Sequence, residues 1–549
     1  MVVESWRGLL LRAGLLLAAL ICSTSAWSQS WNVYQNYTNS FFVPFVGADR
    51  TTPDTFRYID LTLNYGNSTR TNSFTMDTGS TGITASGDYY QPNTNTDTFM
   101  GAGSITYTSS NKIESGKIYL TNVIIHGQGG QTITSEVPIL QVLNECPTTN
   151  PQCGFVPSGV AYMGVGFNRG GFQSTVPLGN TNPFLGLTGP LASSMRAGYV
   201  ITNSGTTPGV TLGLTNQNTA GFGSFIKLPA NGVNTAGCTA PIPSCYYDWG
   251  ATTASVSVNN QNVGTGNVLP DSGILYMIVV TPVASSLPTG GACPPSAVGS
   301  NCAPNGTTVQ ISLPGMGNGA LYQFTVGGSG NPSQPSAVEY FGGSPMSVNT
   351  GVGFYGAIDY LYDAAGGYVG YRWNNATGGN GFVLPLLALQ GNVAFNSGFM
   401  TDFPVLLMPG TTTLSGPSNG TGFFMGNFFG PGALTVDSGN FWLMGLNNTY
   451  TGGTTVNGGS LTLGSGASLP FGGALAINGG TFNLNGNTQV LGSLAGSGGT
   501  LVMGGGMLVL NTTTANTLGS SITGDGMLVL QGGGSLNLTG RDIDEILFG

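Results

Sequence analysis

Charge is what this chain lacks most. Only 6% of its 549 residues are charged, 12 basic against 21 acidic, for a net charge of −9. So few cations argue against a nucleic-acid partner. Histidine is nearly missing. The single one, His126, ends the apolar-rich run Val123–His126 and reads as a strand residue, which leaves a Ser-His-Asp triad little to be built from. Metal sites of the Cys/His kind lack ligands for the same reason, so no metal and no organic cofactor is expected. Past the N-terminus there is no run of about 18 apolar residues, hence no expected transmembrane helix. Helix signals are scarce as well; Leu191–Val200 is one of the few candidates, and a short one.

What is abundant is glycine, 92 residues, with long stretches rich in Thr, Ser and Asn. A hydrophobic content of 40% argues against general disorder, and the combination suits an all-β protein with hydroxyl- and amide-covered faces. The N-terminus reads as a secretory signal over residues 1–26: Arg7 and Arg12 precede the apolar run Ala13–Cys22, and Ser23-Thr24-Ser25-Ala26 follows. Cys22 invites a lipid anchor, but Ile21 before it is too bulky for the usual lipobox. Without Cys22, the cysteines form neighbouring pairs: Cys146 with Cys153, Cys238 with Cys245, and Cys293 with Cys302. Even number, short spacing and an export signal predict three local disulfides in an extracellular or bacterial cell-surface protein.

One stretch organises the chain: Phe74-Thr75-Met76-Asp77-Thr78-Gly79-Ser80-Thr81. Apolar residues lead into an aspartate at a strand end, and glycine lets another backbone pass close by. The pattern returns at Leu269-Pro270-Asp271-Ser272-Gly273-Ile274-Leu275, far enough away for each aspartate to belong to its own lobe. Period-two runs surround both copies. They include Phe56–Leu63, a hairpin pattern from Gly103–Thr108 to Gly116–Ile125, Ala254–Val258, and the pair Gly356–Asp363 and Gly367–Arg372. A third triplet, Asp437-Ser438-Gly439, lies beyond these strands and reads as a turn.

Over residues 45–374 these features resemble the pepsin-like aspartic peptidases. The resemblance implies a bilobal double-β-barrel domain over 31–374, with lobes of about 31–200 and 201–374. It makes Asp77 and Asp271 the catalytic pair, with Thr78, Gly79, Ser80, Ser272 and Gly273 as supporting motif residues. Ile105-Thr106-Tyr107 followed by Ser115–Ile118 looks like the flap hairpin, with Tyr107 as the flap tyrosine. Met163-Gly164-Val165-Gly166 resembles the segment that crosses behind the first aspartate. The implied activity is endopeptidase cleavage of a polypeptide substrate, without a cofactor. The chain departs from the pattern at Ile274, where a hydroxyl residue is usual. It departs again at Asn349-Thr350-Gly351, a weak second crossing segment, and at 83–88, where a tryptophan is usual.

After a Gly/Asn-rich junction at 375–430, charge almost disappears and short units recur, among them Gly-Ser-Leu-Thr-Leu at 459–463 and Gly-Thr-Phe-Asn-Leu at 480–484. A glycine corner followed by a short alternating strand is what a stacked β-solenoid needs, here over 431–540 with a tail at 541–549. Asn447–Val456 followed by Gly459–Leu463 is similar to the β-strand repeat of autotransporter passengers, which implies outer-membrane export machinery as a partner. No strands of a translocator barrel follow. The alternative is a non-enzymatic adhesin or structural passenger with a degenerate peptidase-like head. A glycan-processing solenoid would need clustered carboxylates, and before Asp525 the repeats carry only Asp437.

Overall fold

The strand Tyr58–Tyr65 buries Ile59, Leu61 and Leu63 on one face and leaves the alternating residues half-exposed, the period-two signature of a sheet with one dry side. The structure is a computed structural model. It describes residues 32–47, 55–203, 207–229, 248–295, 297–315, 319–328, 333–374, 380–540 and 546–548. The expected signal segment lies outside these residues. So do Cys238 and Cys245, and the disulfide expected between Cys238 and Cys245 is therefore not among the bonds described. The protein is all-β. Among the described residues the α-helices are single turns, Pro190–Ser193 and Phe354–Ala357.

Tyr58–Tyr65 turns at Gly66 into Ser68–Asp77, so residues 68–71 belong to a strand. Their side chains are exposed and polar, which left no apolar alternation to read. Asp77 ends this strand. Next to it run Ala161–Val165, Thr81–Ser86, Thr132–Pro147 and Lys112–His126, and the last returns to Tyr58–Tyr65 through Leu61 opposite Ile125. The result is a closed six-stranded barrel filled by Ile59, Phe74, Met76, Ile83, Val123 and Ile139. Its closing seam also holds His126, whose Nε2 lies 2.7 Å from the Thr62 hydroxyl.

A second sheet of eight strands contains Thr252–Val258 and Gln261–Leu269, the latter leading into Asp271. Six antiparallel strands of a third sheet connect the two: Phe41–Pro44, Gly209–Leu212, Tyr199–Thr202, Ile358–Asp363, Tyr368–Trp373 and Ser224–Lys227. Arg196 pins the turn after Ile358–Asp363 with a buried ion pair to Asp363 at 2.8 Å, and the Tyr34 hydroxyl adds a bond to the same carboxylate.

This third sheet does not stop there. Leu386–Ala394 pairs in parallel with Ser224–Lys227, Val405–Ser415 pairs with Leu386–Ala394, and the parallel ladder continues to Ile546–Phe548. Beside it runs a seven-stranded parallel sheet, and together they wind a C-terminal β-solenoid of about seven turns. Parallel pairing thus begins at Leu386, inside the stretch without recurring units. Inward positions stack in columns: Phe441, Leu461, Phe482, Leu501 and Ile522 are opposite one another in successive coils, all buried. Because Phe225 and Leu361 pack in the same apolar cluster as these columns, the solenoid core is an extension of the head's core.

Candidate functional site

Asp77 and Asp271 meet. Both are buried and line one cleft of about 480 Å³, and the loop glycine of each motif abuts the carboxyl of the other. Burial and the neighbouring Asp77 push the Asp271 carboxyl above the usual carboxylate range, because a second negative charge in a dry site is costly. Gly79 and Gly273 let the loops approach this closely. A Cβ on Gly79 would strike the Asp271 carboxyl, and one on Gly273 would strike Asp77.

The two motifs brace each other by reciprocal bonds. The Ser272 amide donates to the Thr78 hydroxyl (2.9 Å), which donates to the Pro270 carbonyl (2.8 Å). In return the Thr78 amide donates to the Ser272 hydroxyl (3.1 Å), which donates to the Met76 carbonyl (2.7 Å). Each carboxylate takes one bond from the glycine two residues on: Gly79 to Asp77 at 2.6 Å and Gly273 to Asp271 at 2.7 Å. A second donor reaches Asp77 from Ser80 at 2.5 Å. Behind Asp77 passes Ala161–Val165, with Gly164 opposite the aspartate.

Tyr107 ends the strand Thr98–Tyr107, which forms a hairpin with Lys112–His126 over the cleft. Its hydroxyl lies 3.2 Å from that of Thr84, within the stretch where a tryptophan was expected. The hairpin turn is tied to the other side of the cleft, since the Tyr276 hydroxyl donates to the Ser109 carbonyl at 2.6 Å. Asp437, in contrast, is exposed at a solenoid corner, away from the cleft.

Two residues of the cleft escaped the sequence reading. Asn349 donates to Asp271 at 2.5 Å. A polar residue where the second crossing segment should be apolar was the available signal. Glu114 lines the cleft beneath the hairpin, 1% exposed, with its Oε2 making no hydrogen bond; burial pushes its carboxyl up to about 7. Nothing in the local sequence marks it.

Of the three disulfides expected from the cysteine spacing, two are present among the described residues, Cys146 to Cys153 and Cys293 to Cys302. The third expected pair, Cys238 with Cys245, lies outside the described residues. Two bonds already fit maturation in an oxidising compartment. No helix among the described residues is long and apolar enough to cross a membrane. The same residues contain no cluster of metal-ligating side chains. No protein-family model matches this chain, and no curated protein matches it.

Proposed function

We propose that the protein is an exported aspartic endopeptidase with a pepsin-like head, in which Asp77 and Asp271 act as one acid–base pair. The observation that carries this reading is the close approach of the two buried carboxyls in one cleft, each against the glycine of the other's motif. Two carboxyls this close share one proton, and their titration belongs to the pair. The ionised member takes a proton from a water held between them. That water attacks the scissile carbonyl carbon, and the protonated member donates to the carbonyl oxygen. The Thr78–Ser272 lattice keeps the carboxyls at a fixed separation while charge moves between them. Tyr107 and its hairpin cover the substrate and exclude bulk water.

The solenoid, in this reading, is a surface-displayed autotransporter-type stalk that presents the head after export. The test is cleavage of a denatured protein between pH 3 and 7 by wild type, Asp77→Ala and Asp271→Ala. Acid-favoured cleavage abolished by both substitutions supports the proposal. A folded wild type that leaves the substrate intact at every pH refutes it and returns the head to a binding or structural role.

A further inference from the structure

The two aspartates are held alike at one oxygen and differently at the other. Oδ1 of each accepts from a glycine amide, and Oδ2 accepts from a side chain. For Asp77 that side chain is Ser80, three residues on. Three residues after Asp271 stands Ile274, which is buried with Tyr276, Cys302 and Ala337 and has nothing to donate. The donor comes instead from the neighbouring strand, Ser347–Asn349.

Register shows how it gets there. Asn349 is opposite Leu269, two residues before Asp271, just as Tyr162 is opposite Thr75, two residues before Asp77. At equivalent places the first sheet carries a phenol ring packed near Tyr107, and the second an amide aimed at the carboxylate. The amide cannot turn round freely, because its Oδ1 accepts from the Gly351 amide at 3.1 Å. Gly351 in turn has φ +64° and no room for a Cβ against the Tyr276 carbonyl.

We propose that Asn349 is a positioning residue of the aspartate pair, replacing the hydroxyl missing at Ile274 as the side-chain donor to Oδ2 of Asp271. This rests on the peptidase reading above. A hydroxyl can donate to a carboxylate or accept from a carboxylic acid, whereas an amide nitrogen only donates. Asn349 at Oδ2 and the Gly273 amide at Oδ1 thus both donate to Asp271, and neither can accept a proton from it. The Ser80 hydroxyl can also accept from a protonated Asp77, so the two halves of the pair are chemically unequal. A donor to the charged form also favours ionisation, which partly offsets the burial of Asp271. The other charged or titratable groups facing Asp271 are Asp77, Arg169, Tyr276 and Tyr355.

The test compares wild type, Asn349→Leu and the double variant Asn349→Leu/Ile274→Thr, full-length and purified. With a denatured protein as substrate, Asn349→Leu is expected to lower kcat by roughly ten- to a hundredfold, the worth of a hydrogen bond to a charged group. The alkaline limb of its pH profile should move upward by about one to two units. Restoring a hydroxyl at 274 should recover most of both. Unchanged kcat and pH limbs in Asn349→Leu overturn the inference, and so does a loss that the double variant does not recover. If the wild type cleaves nothing, the peptidase reading fails by itself and melting temperature against pH decides the inference. The pH at which the pair loses its proton must then rise in Asn349→Leu and fall back in the double variant; an unmoved profile overturns it.

Discussion

Thr78 and Ser272 each hold the backbone of the other's loop, with four hydrogen bonds among amides, hydroxyls and carbonyls buried between the two aspartates. The arrangement is closed: removing either hydroxyl leaves one backbone N–H without its acceptor in a dry place. Ser272→Ala strands the Thr78 amide. The expected loss is about 1–3 kcal/mol in urea unfolding, with a larger fall in the proposed peptidase activity than the stability change explains. Unaltered stability would show that the lattice is replaceable by water.

Glu114 gives a second, independent handle. Its carboxyl titrates near pH 7 in the folded chain against 4.5 ordinarily, so the folded state holds the proton over a range where the unfolded chain has lost it. Stability is therefore fully present below about pH 4.5 and is lost as pH rises through 7. The integrated effect is about 3 kcal/mol. Glu114→Gln should remove that slope, so that wild type and variant diverge between pH 4.5 and 8 in denaturant titrations. Parallel curves would place the proton elsewhere.

These two cases mark where the sequence could and could not be read. Asp77-Thr78-Gly79 and Asp271-Ser272-Gly273 stand out because the same triplet recurs after an apolar strand end, and both copies meet at one site. Asn349 did not, because its role depends on strand register across nearly eighty residues (|i−j| is 78) and not on any local pattern. Glu114 is hidden for a related reason: a lone acid on an alternating strand looks the same whether it faces water or the cleft. The solenoid was legible from 431 through its repeating units, while 386–430 pairs the same way with irregular spacing, such as the shift between Leu389 and Gly391.

Tyr276→Phe tests what holds the hairpin over the cleft. Its hydroxyl bonds the Ser109 carbonyl in the hairpin turn, so the variant should raise amide exchange in residues 108–111 and raise KM several-fold. A neutral hydrogen bond is worth about 0.5–1.5 kcal/mol net. kcat should change less, since no group on the aspartates is removed. Wild-type exchange in the turn would mean that packing of Tyr107 and Ile105 suffices to hold it.

The shared core predicts that damage to the solenoid is felt differently according to position. Gly480 has φ +56°, and a Cβ there would strike the backbone of Gly458 and Gly459 in the preceding coil. Gly439, Gly459 and Gly499 occupy the matching corners with the same hand. Because each coil leans only on its neighbours, Gly480→Ala should fray the coils after it while leaving the head intact. Phe403 is a different case. It packs 5.8 Å from Phe225, on a strand of the head's connecting sheet, and is buried. Phe403→Ala should cost about 3–5 kcal/mol and loosen head and first coils together. Limited proteolysis followed by mass spectrometry separates the outcomes: Gly480→Ala should yield cuts confined to the C-terminal coils with cleft activity retained, and Phe403→Ala should lose both. Equal patterns from the two variants would mean that head and solenoid unfold as one cooperative unit, against the coil-by-coil behaviour expected of the stack.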